Sequence, residues 1–167
     1  TFLARLDVAL HNGLRLIQLR DKTLPEDIRL VLARETVRRA HQHGARVLFN
    51  GSPELASAAD ADGVHLDSAA AAKLTARPDC DWVGVSCHDA TELAHAAAIG
   101  ADFALLSPVL PTLTHPGAAT LGWEVFSALA AASAIPVYGL GGLARNDVAR
   151  AQSHGAHGIA LLRGAWT

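Results

Sequence analysis

The sequence predicts an α/β fold built on an all-parallel sheet, and among parallel architectures a (β/α)8 TIM barrel. Three observations carry that prediction. Short apolar runs rich in Val, Ile and Leu alternate with helical patterns along the whole chain, as strands do when helices cover a parallel sheet. The alternation repeats without a break in units of about 20–25 residues, the rhythm of a barrel. No dinucleotide fingerprint follows an early strand, because the GLGG at 139–142 comes late and with the wrong spacing for a doubly wound nucleotide fold.

The elements follow in order. Residues 2–12 carry apolar side chains at helical spacing and end at Gly13, a residue suited to a helix stop. Residues 16–20 (LIQLR) are the first strand. Pro25 opens a helix to about His43, with Glu26 and Asp27 in its first turn, where the helix dipole favours acids, and Gly44 behind it. Residues 46–50 (RVLFN) form a strand, Pro53 begins a short helix to about Ala61, and 63–67 (GVHLD) form the next strand. An alanine-rich helix reaches about Ala76. Residues 82–88 (WVGVSCH) are a strand, Asp89 caps a helix over 90–99 that ends at Gly100, and 103–109 (FALLSPV) are a strand. A loop rich in Pro, Thr and Gly, 110–122, leads to a helix over 123–133 and a strand over 135–141 (IPVYGLG). A helix over 145–154 and a last strand over 157–164 (HGIALLRG) complete seven strands. The chain opens in a helix, and a barrel needs a strand ahead of it to close. Residues 1–167 are therefore expected to be one barrel domain belonging to a longer polypeptide, since an open seam would expose two apolar strand edges.

Bulk properties narrow the function classes. At 167 residues, half of them hydrophobic, the chain has the size of one domain with a full core. A net charge of −2 lacks the basic footprint of nucleic-acid or anionic-membrane binding. Neither a bilayer-spanning run nor a signal peptide is read, so a cytoplasmic location is expected. Cys80 and Cys87 have no metal or redox spacing and read as reduced thiols. The nine histidines are scattered, with no i,i+4 pair beside a carboxylate on a helix.

The chemistry is expected at the C-terminal ends of the strands and in the loops that follow them. In LIQLRDK, residues 16–22, Gln18, Arg20 and Lys22 alternate with Ile17 and Leu19, which puts one amide and two cations on one face of a strand. Such a set suits an anionic substrate, above all a phosphate. The other strand ends add Asn50, Asp67, Ser86 and His88, with Arg163 and Gly164 at the last. Gly141 and Gly142 lie after a late strand, where glycine lets backbone N–H groups approach an anion and where barrels commonly bind phosphate. In the loop 111–117 (PTLTHPG), Thr112, Thr114 and His115 offer hydroxyl and imidazole contacts to an oxyanion, and a loop this long is often a functional lid. His88 shares a face with Ser86 by period two and can exchange a proton near neutral pH.

Taken together, these residues resemble the thiamine phosphate synthase / TenI superfamily. LIQLRDK is similar to the family's QxRxK strand, and LFN, ADGVHL, GVSCH, SPVLPTLTHPGA and YGLGG follow in the family's order over nearly the whole chain. The tail GWE…PVYGLGGL…AHGIALLRGAW resembles the TenI-type domain fused behind a Nudix hydrolase in some bacterial proteins. The resemblance implies a TIM barrel that binds a thiazole phosphate and, in synthases, a pyrimidine diphosphate with Mg²⁺. It places Gln18, Arg20, Lys22 and Asn50 on the diphosphate side. Thr112 and Thr114 fall on phosphate oxygens, and Gly141 and Gly142 on the thiazole phosphate. Three positions depart from the synthase pattern: Gly51 and Ala70 stand where an Asp is usual, and His115 replaces a Lys. Asp67, where the family usually has Gly, is the remaining metal candidate. With two carboxylates missing, a metal-independent TenI-like proton transfer on a thiazole phosphate, with His88 as acid and base and no cofactor, is the leading expectation. The alternatives are a Mg²⁺-dependent thiamine phosphate synthase and a non-catalytic domain that binds thiazole or thiamine phosphate for a fused Nudix partner. Barrels of this kind often pair, so a homodimer is also expected.

Overall fold

Every predicted strand forms, and all seven run parallel and follow one another in chain order. The computed structural model describes residues 1–166 apart from 22, 114 and 115. This is the α/β class of the TIM-barrel type, with helices between successive strands. No described helix is long and apolar enough to cross a membrane.

The chain packs as two compact units. In the first, α1 (Phe2–His11) and α2 (Glu26–Gln42) flank β1 (Leu16–Leu19), β2 (Arg46–Asn50) and β3 (Gly63–Leu66), with the short α3 (Pro53–Ala58) between the last two. The register pairs Gln18 with Leu48, Leu19 with Phe49 and Asn50 with His65. Local chemistry explains the helix ends. The Thr1 hydroxyl accepts from the Ala4 N–H and the Ser52 hydroxyl from the Leu55 N–H, while Gly13 and Gly44 take the left-handed conformation that ends α1 and α2. The core is Leu6, Leu10, Val37, Val47, Leu48, Phe49 and Val64, all buried.

In the second unit, α4 (Ser68–Ala71) precedes the end of β4 (Trp82–Cys87), followed by α5 (Ala90–Ala98), β5 (Phe103–Leu106), α6 (Gly122–Ala132) and β6 (Val137–Gly139). A 3-10 turn (Arg145–Asp147), α7 (Val148–Ser153), β7 (Gly158–Ile159) and a 3-10 turn beginning at Arg163 complete it. Val85, Leu106, Val109 and Phe126 fill its core.

Several predicted elements are shorter than their apolar runs. The helix expected to reach Ala76 ends at Ala71, the only buried residue of its four; with so little apolar surface to bury, nothing holds further turns together. The helix from Pro53 stops at Ala58, and Asp60 turns the chain with φ 56°. The strand read as 103–109 ends at Leu106, before the cis Ser107–Pro108 bond, and that read as 135–141 covers Val137–Gly139. The strand read as 157–164 is Gly158–Ile159 alone, so Arg163 and Gly164 sit on a 3-10 turn and not at a strand end.

An ion-pair network joins the first two helices. Glu35 accepts from Arg38 Nε at 2.8 Å and from Arg39 Nε at 2.7 Å, and Arg39 Nη1 reaches Asp7 on α1. Hydrogen bonds from Arg38 and Arg39 hold the Glu35 carboxyl down at about 2, against an ordinary 4.5. A depressed carboxyl stabilises the fold above its unfolded value and ceases to do so as pH falls through the folded one. Glu35→Gln should therefore lower the urea midpoint at pH 7, and the gap to the parent should close as pH falls from 4.5 towards about 2. Urea titrations at a series of pH values in low salt check this.

Candidate functional site

Within the first unit, β1 and β2 pair so that Arg20 and Asn50 each follow the last bonded pair, Leu19 and Phe49. Ile17 and Leu19 are buried, Gln18 is half-buried and Arg20 is exposed, as the period-two reading expects. The Asn50 side-chain N–H donates to the His65 carbonyl at 3.2 Å, which fixes the amide between β2 and β3. The loop after β1 is tightly built. Asp21 Oδ1 accepts from the Thr23 N–H at 2.7 Å, the Thr23 hydroxyl at 2.8 Å and the Leu24 N–H at 2.9 Å. The backbone donors Leu24 and Thr23 hold the Asp21 carboxyl below its usual range. Arg29 on α2 donates to the Asp21 carbonyl at 3.3 Å and lies 5.6 Å over the Phe49 ring. Arg29 thus braces the segment that follows Arg20, a role that sequence reasoning missed. Lys22 lies outside the described residues.

Within the second unit, Ser86 is half-buried on β4, Cys87 is buried beside it, and His88 is exposed just past the strand. Burial pushes the Cys87 thiol up to about 12, so it is a poor nucleophile. His88 meets a carboxylate that the sequence reading did not single out. Glu92 Oε2 accepts from the His88 N–H at 2.7 Å and lies 2.9 Å from His88 Nδ1. Asp89 meanwhile caps α5 through the Glu92 N–H at 2.9 Å. In the tautomer that donates Nδ1–H to the Glu92 carboxylate, Nε2 is left as the acceptor nitrogen. The i,i+4 spacing of His88 and Glu92 across a helix cap was the available signal.

The glycine turn after β6 lies against the chain after β5. Leu140 N donates to Leu106 O at 3.1 Å, Val109 N to Leu140 O at 2.9 Å and Leu110 N to Gly141 O at 3.0 Å. Gly141 and Gly142 have φ of 97° and 69°. A Cβ at Gly141 would meet Pro108 Cα at 2.8 Å, and one at Gly142 would meet the Pro111 carbonyl at 2.5 Å. The glycines therefore serve both the turn and the close approach of two backbones. The loop after β5 is closed at its base by Leu121 N to Pro108 O at 3.0 Å and Gly122 N to Val109 O at 2.9 Å. Thr112, half-buried, follows Pro111 on that loop; Thr114 and His115 lie outside the described residues. Gly164 belongs to the 3-10 turn, whose carbonyls are held by Arg145.

The donor set does not fit a Mg²⁺ site built by the protein. Gly51 and Ala70 supply no carboxylate. Asp67 commits Oδ1 to the Ala70 N–H at 2.9 Å as the cap of α4. No group of three or more acidic, His or Cys side chains is placed to hold a metal among the described residues. Hard cations need several oxygen ligands.

Polar residues at the ends of parallel strands, with a glycine turn late in the chain, are features of the TIM-barrel-like α/β class that the sequence predicted. Residues 1–165 match the family model described as Thiamine monophosphate synthase (TMP-TENI), and the chain belongs to that family. The thiamine-phosphate synthase of Chromobacterium violaceum is 40% identical over 160 residues, covering 93% of this chain and 77% of the relative. Thiamine phosphate pyrophosphorylase from Pyrococcus furiosus has a similar solved structure, with a TM-score of 0.79 at 25% identity over 96% of this chain and 79% of that one. The pyrophosphorylase of Bacteroides thetaiotaomicron shares the fold, with a TM-score of 0.64 at 22% identity over 99% of this chain and 80% of that one.

The glycine turn can be tested on its own. Gly142→Ala should lower the melting temperature clearly more than Gly117→Ala. Both positions have positive φ, which costs a side chain about 1–2 kcal/mol, but a Cβ at Gly117 meets nothing within 4 Å. Thermal unfolding of the two variants beside the parent makes the comparison.

Proposed function

We propose that the chain is a thiamine-phosphate synthase: it joins a pyrimidine diphosphate to a thiazole phosphate and releases diphosphate. The observation that carries this is the similarity to the Chromobacterium synthase along nearly the whole chain. That similarity favours coupling over the TenI-like proton transfer that the departures at Gly51, Ala70 and His115 suggested.

In this reading, Gln18, Arg20, Lys22 and Asn50 bind the diphosphate side. Arg20 contributes a charge that neutralises the leaving group, and Asn50 is held in place by the His65 carbonyl. Gly141, Gly142 and Gly164 bind the thiazole phosphate through backbone N–H groups, with Thr112, Thr114 and His115 as the residue types on the loop 111–117 that suit its oxygens. Ser86 faces the substrate from β4, and Arg163 adds charge beside Gly164. The Mg²⁺ of the synthase reading would have to enter with the substrate's diphosphate, since the protein's own donors, among the described residues, do not fit a metal site; Asp67, the carboxylate nearest in sequence to the family's metal positions, caps α4. The link to a Nudix partner, a homodimer and a cytoplasmic location belong to the same family reading. They are checked on the full-length polypeptide by its sequence, its mass in solution and its fractionation.

The purified protein, incubated with hydroxymethylpyrimidine diphosphate, thiazole phosphate and Mg²⁺, should form thiamine phosphate, detected as its fluorescent oxidised product. Chelator should abolish the signal. Arg20→Ala should raise KM for the pyrimidine diphosphate by roughly 10–100-fold, the size of a charge-assisted hydrogen bond, and leave KM for the thiazole phosphate alone. Absence of product from the parent protein refutes the reading.

One observation favours a second reading. The contact of Glu92 with His88 holds the imidazole in one orientation, as a proton-transfer histidine requires. A metal-free thiazole tautomerase would move solvent deuterium onto the thiazole ring without the pyrimidine substrate. His88→Ala should then slow exchange by about 10²–10⁴-fold, the usual contribution of a general acid or base. Exchange at the parent rate in that variant would exclude His88 from the chemistry.

A further inference from the structure

Arg145 opens the 3-10 turn that follows the glycine turn by three residues. Its backbone is fixed from both sides. The Ala144 N–H donates to Asp147 Oδ2 at 2.8 Å, and the Asp147 N–H donates to the Ala144 carbonyl at 3.0 Å. From that base the guanidinium reaches residues 19 and 20 positions ahead. Nε donates to the Gly164 carbonyl at 3.3 Å and Nη2 to the Ala165 carbonyl at 3.1 Å. The fork of a guanidinium matches two neighbouring acceptors, which the point charge of a lysine does not.

This contact has a consequence for the peptides it holds. In a trans peptide the carbonyl and the N–H point in opposite directions. Pulling the carbonyls of Gly164 and Ala165 towards Arg145 therefore turns the N–H groups of those two peptides, which belong to Ala165 and Trp166, the other way and fixes Gly164 from its carbonyl side. The segment before the turn is fixed independently, because the Ala160 N–H donates to the Gly139 carbonyl at 2.8 Å. Arg145 thus ties the segment that follows Gly141 and Gly142 to the turn that carries Gly164.

We propose that Arg145 is a positioning residue for the thiazole phosphate. It orients the backbone at 164–165 relative to the glycine turn and places a fixed positive charge behind it, without touching the substrate. This rests on the synthase reading's assignment of the thiazole phosphate to Gly141, Gly142 and Gly164. Arg145 is exposed, so removing it opens no core cavity.

The experiment compares the parent with Arg145→Gln and Arg145→Lys in the coupling assay, alongside their melting temperatures. Arg145→Gln should raise KM for the thiazole phosphate about tenfold, the value of a charge-assisted hydrogen bond, with KM for the pyrimidine diphosphate unchanged. Arg145→Lys should lie between the two, keeping the charge and losing the fork, and it carries the comparison alone if the glutamine variant does not fold. An unchanged KM for the thiazole phosphate overturns the proposal. Equal rises in both KM values, tracking a fall in melting temperature, also overturn it, because that is a merely structural role. If the parent forms no thiamine phosphate, the synthase reading has failed separately. Calorimetric titration of thiazole phosphate then decides: weaker binding by the variant upholds the positioning role, while equal affinity, or no binding to the parent, removes it.

Discussion

Between residues 106–111 and 139–142 two stretches of backbone meet so closely that Gly141 and Gly142 have no room for a β-carbon, and the strand ends of the second unit are joined at that contact. Gly142 touches the Pro111 carbonyl and Gly141 the Pro108 backbone. Three backbone hydrogen bonds then join the strand ends, from Leu140 to Leu106, Val109 to Leu140 and Leu110 to Gly141. Any side chain at these glycines would push the two segments apart and break bonds that each position the other. The base of the long loop, closed by Leu121 and Gly122, is fixed by the same residues, Pro108 and Val109. So is the direction in which the chain leaves towards Arg145. A sequence motif that reads as an anion-binding turn is thus also the joint of its unit.

The parts of the fold that sequence reasoning captured are those set by neighbours in the chain. Alternating burial in β1 follows from strand geometry alone, and it placed Ile17 and Leu19 inward with Arg20 outward. The Asp89 cap and the stops at Gly13, Gly44 and Gly100 are likewise local. Strand length is not local. The runs at 103–109, 135–141 and 157–164 stay apolar beyond the bonded segment, because Val109, for example, is buried in the core as part of a loop. Hydrophobicity reports burial; only pairing defines a strand, and pairing depends on a partner elsewhere in the sequence. The alanine run after Asp67 misled in the opposite sense, since high helix propensity cannot sustain a helix with one buried residue.

The candidate site divides the same way. Gln18, Arg20, Asn50, His88 and the glycines were visible because strand ends on a parallel sheet are where such chemistry collects. Their supports were not visible. Asn50 depends on a carbonyl 15 residues away and Arg145 on two carbonyls 19 and 20 residues away. Backbone acceptors leave no mark on residue identity. Glu92 was hidden differently: its partner His88 lies just outside the helix that carries it, so their i,i+4 spacing does not fall within one predicted helix. Asp67, read as a possible ligand, has a structural task that the alanine run after it did not single out: it caps α4 through the Ala70 N–H.

The candidate groups in the two units are built from different materials, and this governs how each set can vary. In the first unit the groups are side chains at strand ends: Gln18, Arg20 and Asn50. Arg20 is exposed, so exchanging it changes charge with little effect on packing. In the second unit the proposed groups are backbone amides at Gly141, Gly142 and Gly164, and their geometry is that of the fold. A backbone donor cannot be deleted by substitution. It can only be moved, and at Gly141 or Gly142 moving it disrupts the joint with 108–111. Recognition there must therefore be adjusted through residues that hold the backbone from outside. An exposed arginine fastened to carbonyls is such a device, because it changes the aim of the amides while leaving the core untouched.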